Sequence, residues 1–459
     1  MALGRILFKI NSMHQLKKEL SRFDLTMIAI GSMIGSGIFL TPSIIASAIP
    51  FPSLIIFVWL IGGIQALCGA LTFAELGSMM PGAGGVYVYL SEGYGKLAGF
   101  LYGWAYFLVV NTGGIAALSV AFATYLGYFV HLNIIGIKIT AVTGIFILTV
   151  INVFGVKIGG IFSDLFTLLK LIGIFGIILI GFLLGSSHLT NFSISLFNSS
   201  SGLSGIGIAM VGVLWSYGGW QHATYTAGEA KNARRDVPIA MIIAASAVTA
   251  IYVIINIAYM YLLPIKSIAA SQSLAADAVQ TVIGPAGGGL IALAIFISTF
   301  GTAGIYTLTA PRIYFAMASD GIFIKKVSEV HPRFQTPHYA IIFQSTWAIM
   351  LVLFWGTFEN LISYVVFTDW IFFALTAATI FIFRRKLPDA KREYKTLGYP
   401  VTPLFFIAVA AWFVISTLIE KPEQAIAGII MLGLGIPVFY YWKKKNKIAV
   451  ETTSNQRQH

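Results

Sequence analysis

The sequence predicts an all-α polytopic membrane protein: twelve transmembrane helices, a five-plus-five inverted repeat plus two C-terminal helices, with spans 1 and 6 unwound. Three observations predict it. Of the 459 residues, 58% are hydrophobic and 10% charged, and the mean hydropathy is +0.86, which excludes a soluble domain of this length. Two apolar spans carry glycine clusters at mid-membrane, five spans apart. The basic residues fall almost entirely on alternate loops.

A bilayer core of about 30 Å needs roughly 20 apolar residues per helix. Stretches that meet this run over 25–49, 53–79, 98–130, 139–155, 159–184, 204–229, 238–263, 286–317, 339–357, 361–383, 401–419 and 424–442. They divide the chain into an N-terminal segment 1–23, a first repeat 24–203, a second repeat 204–400 with its loops, a closing helix pair 401–442 and a tail 443–459. The N-terminus is no signal peptide, because His14, Lys17 and Lys18 interrupt the apolar run at once. The single cysteine, Cys68, excludes internal disulfides.

In the first span, Gly31, Gly35 and Gly37 crowd the middle of IGSMIGSGIFLTP (Ile30 to Pro42), with Ser32 and Ser36 beside them. Glycine costs about 1 kcal/mol relative to alanine in a helix, so this cluster reads as a break. Bare peptide groups in hydrocarbon cost several kcal/mol each, so a break survives only where it is buried or lines a cavity. The sixth span repeats the pattern at Trp215-Ser216-Tyr217-Gly218-Gly219-Trp220. Either cluster alone could serve close helix packing. Paired breaks in corresponding places of two halves point to an inverted repeat with a binding site at the midplane. Five spans is an odd number, so the halves run with opposite topology.

With both termini in the cytoplasm, the inside segments hold 25 Lys and Arg and the outside loops three, Lys138, Lys266 and Lys421. That follows the positive-inside rule for a cytoplasmic membrane and accounts for the net charge of +12 without nucleic acid. Lys170 remains, roughly 16 Å into span five at 1.5 Å per residue. A charge at that depth marks a functional site by default. Lys157, at the membrane edge, reads as solvated.

The helix that restarts after the first break offers free N–H groups and a positive dipole end, suited to a carboxylate. These are the peptides of Ser36, Gly37 and Ile38. The carbonyls near Met33 and Ile34, with those near Trp215, Ser216 and Gly218, suit an ammonium. Backbone would thus hold a zwitterion, leaving its side chain to be discriminated elsewhere.

Several motifs, in order, carry a resemblance over nearly the whole chain. They are GSGIF (Gly35 to Phe39), GALTFAELGSMMPGAGGVYVYL (Gly69 to Leu90), SYGGW (Ser216 to Trp220), EAKNARRDVPIA (Glu229 to Ala240), APRIYFAMASDG (Ala310 to Gly321) and HPRFQTP (His331 to Pro337). The chain resembles the amino acid–polyamine–organocation permeases, most of all the L-type amino acid transporter and related bacterial permeases. The resemblance implies a leucine-transporter-like fold and secondary active transport of amino acids by alternating access. It implies that Trp215 is an extracellular gate, with Trp220 as scaffold. It places Lys170 where sodium sits in sodium-coupled transporters of the fold, tied to Ser298, Thr299 and Thr302 of span eight. A permanently charged Lys170 suits sodium-independent exchange; one that sheds its proton in the cycle makes protons a partner and the protein a symporter; a lysine pinned by carbonyls is scaffold. The loop motif implies a cytoplasmic latch of Glu229 with Arg234 and Arg235, against a solvated loop.

The chain departs from its relatives at Gln221, at Thr302-Ala303-Gly304 and at Ser163, which leaves the substrate open. The exterior loops hold no cysteine for a disulfide to a partner glycoprotein, so no obligatory protein partner is expected. Glu75 reads as an interhelical or loop anchor, Asp164 as shallow and off the Lys170 face, and Asp369 as a packing or gate residue. The seven histidines are scattered without metal-ligand spacing, and GAGG (Gly82 to Gly85) is neither a P-loop nor a dinucleotide fingerprint. No cofactor, metal or catalytic set is expected, which disfavours an intramembrane enzyme. Isolated ionisable residues disfavour a channel.

Overall fold

The computed structural model describes residues 16–185, 201–354, 358–420 and 422–456. The start of the N-terminal segment and the end of the tail lie outside the described residues. Ten helices among those described are long and apolar enough to cross a membrane; Gly205–Ser216, Leu274–Ile283 and His338–Phe354 are shorter apolar helices. The chain is therefore a multi-pass, all-helical membrane protein. The extended pairing among the described residues is a single bridge, Leu20 to Ala230.

The first span is two helices, α1 (Arg22–Met33) and α2 (Gly37–Ala48), separated at Ile34–Ser36. Ser21 and Asp24 close a capping box at the start of α1. Helix α3 (Pro52–Met79) follows, then a short α4 (Val86–Tyr94). The third span starts as α5 (Lys96–Ala105), passes through a π-helical segment at Tyr106–Val110 and continues as α6 (Asn111–Leu126). Next come α7 (Ile134–Val153) and α8 (Val156–Leu184).

The sixth span is also interrupted: α9 (Ser201–Ser216) stops at a turn and resumes as the single turn α10 (His222–Tyr225). Helix α11 (Ala233–Leu262) leads to α12 (Ile265–Ala270) and α13 (Leu274–Ile283), which lie in what reads as an exterior loop. Leu274, Ala275, Ala278 and Val279 are buried, so an apolar stripe folds this segment onto the bundle. Helices α14 (Pro285–Thr309) and α15 (Pro311–Ser319) form one long rod through Ala310. Helices α16 (His338–Phe354), α17 (Phe358–Lys386), α18 (Val401–Glu420) and α19 (Pro422–Gln456) complete the chain. Helix α19 runs well past residue 442, so the first part of the tail continues the last span rather than leaving it.

The bundle turns its intramembrane polar side chains inward and its outer face is apolar. Helix α8 buries Ser163, Thr167, Lys170, Ile174 and Ile177 at helical spacing and exposes Ile161, Leu165, Leu168, Ile172, Phe175 and Leu179. The exposed stripe suits lipid tails. Helix α11 packs on α1, α3 and α8, and α14 packs on α6 and α8. This places both interrupted spans at the centre.

Candidate functional site

The two breaks lie against each other. Thr41 Oγ1 and Ser216 Oγ are 2.9 Å apart, and Ser32 Oγ lies 2.8 Å from the Gly219 carbonyl. Gly219 has φ +126°, and a Cβ there would sit 2.6 Å from the Met33 nitrogen and from the Ser32 carbonyl group. Only glycine allows both that conformation and that approach. At Gly37 a Cβ would meet Ser216 Oγ at 2.7 Å and Ser216 Cα at 3.2 Å.

Three donors predicted from the sequence are bare. Gly35 N–H donates to the Met33 carbonyl and Phe39 N–H to Ser36, while the N–H groups of Ser36, Gly37 and Ile38 have no acceptor among the described residues. They form the open start of α2, twelve residues long, where peptide dipoles favour an anion.

The acceptor side differs from expectation. The Met33 carbonyl accepts from Tyr252 OH at 2.9 Å. The Ile34 carbonyl accepts from Lys170 Nζ at 2.8 Å and faces the hydroxyls of Thr302 at 3.0 Å and Ser298 at 3.3 Å. Both are engaged, because a buried ammonium and a tyrosine have claimed them. The carbonyls of Ser216 and Gly218 have no donor among the described residues, while Trp215's takes the Gly218 N–H at 3.2 Å. The open acceptors therefore lie on span six and the bare donors on span one.

Lys170 is 1% exposed, and its Nζ donates to Gly31 O at 2.8 Å, Ile34 O at 2.8 Å and Thr302 Oγ1 at 2.7 Å. Three acceptors match the three protons of an ammonium. The two carbonyls sit at the C-terminal, negative end of α1. Ser298 bonds the Ile34 and Gly35 carbonyls instead of the lysine. Thr299 does not join the cluster: its hydroxyl reaches Ile295 O and Phe296 O of its own helix. Residues 298 and 302 share a helix face and 299 is turned about 100° away. Spans one, five and eight are drawn so close here that a Cβ on Gly31 would lie 2.1 Å from Thr167 Oγ1 and 2.4 Å from Ile305 Cδ1.

Beside the second break is a cavity of about 30 Å³, bordered by Trp215, Gly218, Gly219, His222, Asn111 and Asp369 among others. That is room for about two waters, not an amino acid, so the chamber is collapsed in this state. Trp215 is half-buried on its wall, whereas Trp220 is 2% exposed and packs edge-on to Phe73 and Phe406. A second cavity of about 110 Å³ lies between Phe39, Tyr125, Tyr128, Ser273 and Ile295, at the far end from the basic loops.

The basic end is locked. Arg312 donates from Nε and Nη2 to the two Glu229 oxygens, each at 2.7 Å, with both side chains 0% exposed. The expected partners of Glu229 are not the observed ones: Arg234 is half-buried and Arg235 exposed, and the pair forms with Arg312 across 83 residues. A guanidinium buried in the first turn of α15 has, among the described residues, this carboxylate to neutralise it. The Glu229 carbonyl accepts from the N–H groups of Glu19 and Leu20, and Lys231 N–H donates to Leu20 O, strapping the N-terminal segment over the loop. Arg22 bonds Asp236 at 2.9 Å. Glu75 binds Arg384, Arg392 and the Thr396 N–H, an interhelical and loop anchor together.

Sequence reasoning missed Tyr252, Thr167 and Arg312, the last because it reads as one more loop charge. It also missed Asn111 and His222 as chamber wall. The π-segment that ends at Asn111 is a known sign of a functional position, but sequence does not reveal it. His222 sits between Thr309 Oγ1 at 2.6 Å and Tyr106 OH at 3.2 Å, a role that metal-ligand spacing could not suggest.

A family model described as amino acid permease matches residues 20–437. The chain is 34% identical over 442 residues to the serine/threonine exchanger SteT of Bacillus subtilis, covering 94% of this chain and 98% of that one. It is 29% identical over 432 residues to the human b(0,+)-type amino acid transporter 1, covering 93% and 88%. It is 28% identical over 453 residues to the human Asc-type amino acid transporter 1, covering 96% and 86%.

Proposed function

The chain belongs to the amino acid permease family, and on that premise we propose that it is a secondary active transporter exchanging amino acids across the cytoplasmic membrane by alternating access. Its relatives are transporters and exchangers, not enzymes. One observation carries the reading: bare N–H groups at Ser36, Gly37 and Ile38 and open carbonyls at Ser216 and Gly218 belong to two breaks that touch each other. The first set binds the α-carboxylate and the second the α-ammonium. Ser216, which now crowds Gly37, moves aside when substrate enters.

Twelve spans form two inverted repeats, 24–203 and 204–400, followed by the pair 401–442, with both termini cytoplasmic. The buried Glu229–Arg312 pair and the strap of residues 19–22 support a state closed to the cytoplasm, and the larger cavity at the opposite end supports an outward-leaning one. Trp215 gates the chamber from that side. Lys170 acts as a fixed cation in place of a coupling ion, which supports sodium-independent exchange: its three bonds already fill the gap between α1 and α14. Opening to the cytoplasm then requires α1 to part from Asp236 and from the span-six loop.

Proteoliposomes loaded with one unlabelled amino acid test the reading. Uptake of labelled amino acid is expected only when the lumen holds exchangeable substrate, and equally in sodium and in choline medium. Uptake that needs sodium, or runs at full rate into empty vesicles, overturns exchange of this kind.

A further inference from the structure

Two residues that border the cavity at the second break each carry a buried acceptor oxygen with no donor among the described residues. Asp369 lies on α17 and borders the cavity together with Trp215, Gly218 and Gly219 of span six. Its side chain is half-buried, and its Oδ1 is buried with no hydrogen-bond partner among the described residues. Asn111, from span three, borders the same cavity; its Nδ2 donates to Gln344 Oε1 at 2.9 Å and its Oδ1 is likewise buried, with no partner among the described residues. The neighbouring His222 is spent, with both ring nitrogens bonded to Thr309 and Tyr106. Among the described residues no lysine or arginine borders the cavity, and Lys170 is fully used behind the first break. Among the described residues the carboxylates paired with basic side chains are those of Glu19, Glu75, Asp236, Glu229 and Glu393, not Asp369.

A buried carboxylate oxygen and a buried amide oxygen left without a donor are costly to keep. They become favourable when a ligand brings the missing donors. The backbone site fixes the α-carboxylate and α-ammonium at the breaks, so the substrate side chain is what reaches this wall. Resting on the amino acid exchange reading, we infer that Asp369, with Asn111 beside it, is the side-chain subsite and selects amino acids whose side chain ends in a cation. The carboxylate neutralises an ammonium or guanidinium, and Asn111 Oδ1 takes a second proton of the same group. In the collapsed state the cavity is too small for such a side chain. The substrate therefore enters only as the chamber opens.

The test is a competition panel in proteoliposomes, with labelled lysine, ornithine, alanine and serine as probes, on wild type, Asp369→Asn and Asp369→Glu. Wild type is expected to favour lysine and ornithine over alanine and serine. In D369N the ratio of lysine to alanine kcat/KM should fall by about 10- to 100-fold, the loss of one charge-assisted hydrogen bond. D369E, which keeps the charge, should recover most of the ratio. A wild type that favours neutral substrates, or a ratio unmoved in D369N, overturns the inference. So does a D369N protein whose only change is in the pH dependence of uptake, which would make Asp369 a proton site. If wild type exchanges none of the four and none of the remaining proteinogenic amino acids offered as competitors, the amino acid reading fails instead, and that outcome is distinct from a preference for neutral substrates.

Discussion

Replacing Lys170 with methionine separates a functional lysine from a structural one. Nζ makes three bonds, to Gly31 O, Ile34 O and Thr302 Oγ1, at 2.7 to 2.8 Å. Each charged hydrogen bond is worth about 1.5–3 kcal/mol. Against that stands the desolvation of an ammonium, several kcal/mol, which methionine avoids. The carbonyls are not abandoned either: Thr302 Oγ1 lies 3.0 Å from both, and Ser298 reaches Ile34. The net loss of stability in Lys170→Met should therefore be small, about 0–2 kcal/mol. What disappears is the tie between the end of α1 and α14. Exchange in proteoliposomes should fall at least about tenfold, equivalent to roughly 1.4 kcal/mol in the barrier. Thr302→Val alone leaves a buried ammonium one acceptor short and should cost about 1–3 kcal/mol in thermal unfolding. In the K170M background the same change should cost less, with a coupling of about 1–2 kcal/mol. Unchanged exchange in K170M, or strictly additive unfolding energies, would refute the assignment of Lys170 as the tie.

Other expectations follow the same geometry. Gly37→Leu drives a side chain into Ser216 and covers the bare peptides; thermal stabilisation by added amino acid should vanish while the monodisperse folded protein persists. Gly31→Ala places a methyl against Thr167 and Ile305 and should destabilise by about 1–3 kcal/mol, with Thr167→Ala restoring part of it. Arg312→Met strands the buried Glu229 and should cost about 3–5 kcal/mol in thermal unfolding, whereas Arg234→Ala and Arg235→Ala stay within about 0.5 kcal/mol. An equal cost for Arg234 or Arg235 would restore the local latch that the sequence suggests.

What could be read in the sequence followed from costs that act locally. Glycine clusters are expensive in helices, so Gly35-Ser36-Gly37 and Gly218-Gly219 announced their breaks without a structure. A lysine deep in hydrocarbon announced itself by desolvation. Partnerships could not be read the same way. The sequence pairs Glu229 with its nearest arginines, but Arg312 reaches it from α15, and only the folded bundle brings them together. Thr299 was grouped with Ser298 and Thr302 by proximity in the chain, yet helical rotation turns it onto its own backbone. The carbonyls of Met33 and Ile34 were expected to be open, which ignored the claim of Tyr252 and Lys170 on them. Asp369 and Asn111 belong to separate spans, and nothing in either span says that both oxygens face one chamber.

The measurement that bears most directly on the central claim is a density map of the protein with an amino acid bound in lipid nanodiscs. The carboxylate should lie within hydrogen-bond distance of the Ser36, Gly37 and Ile38 N–H groups, with the ammonium at the Ser216 and Gly218 carbonyls. A ligand seated away from both breaks, or α1 and α2 fused into one continuous helix around it, would contradict the account.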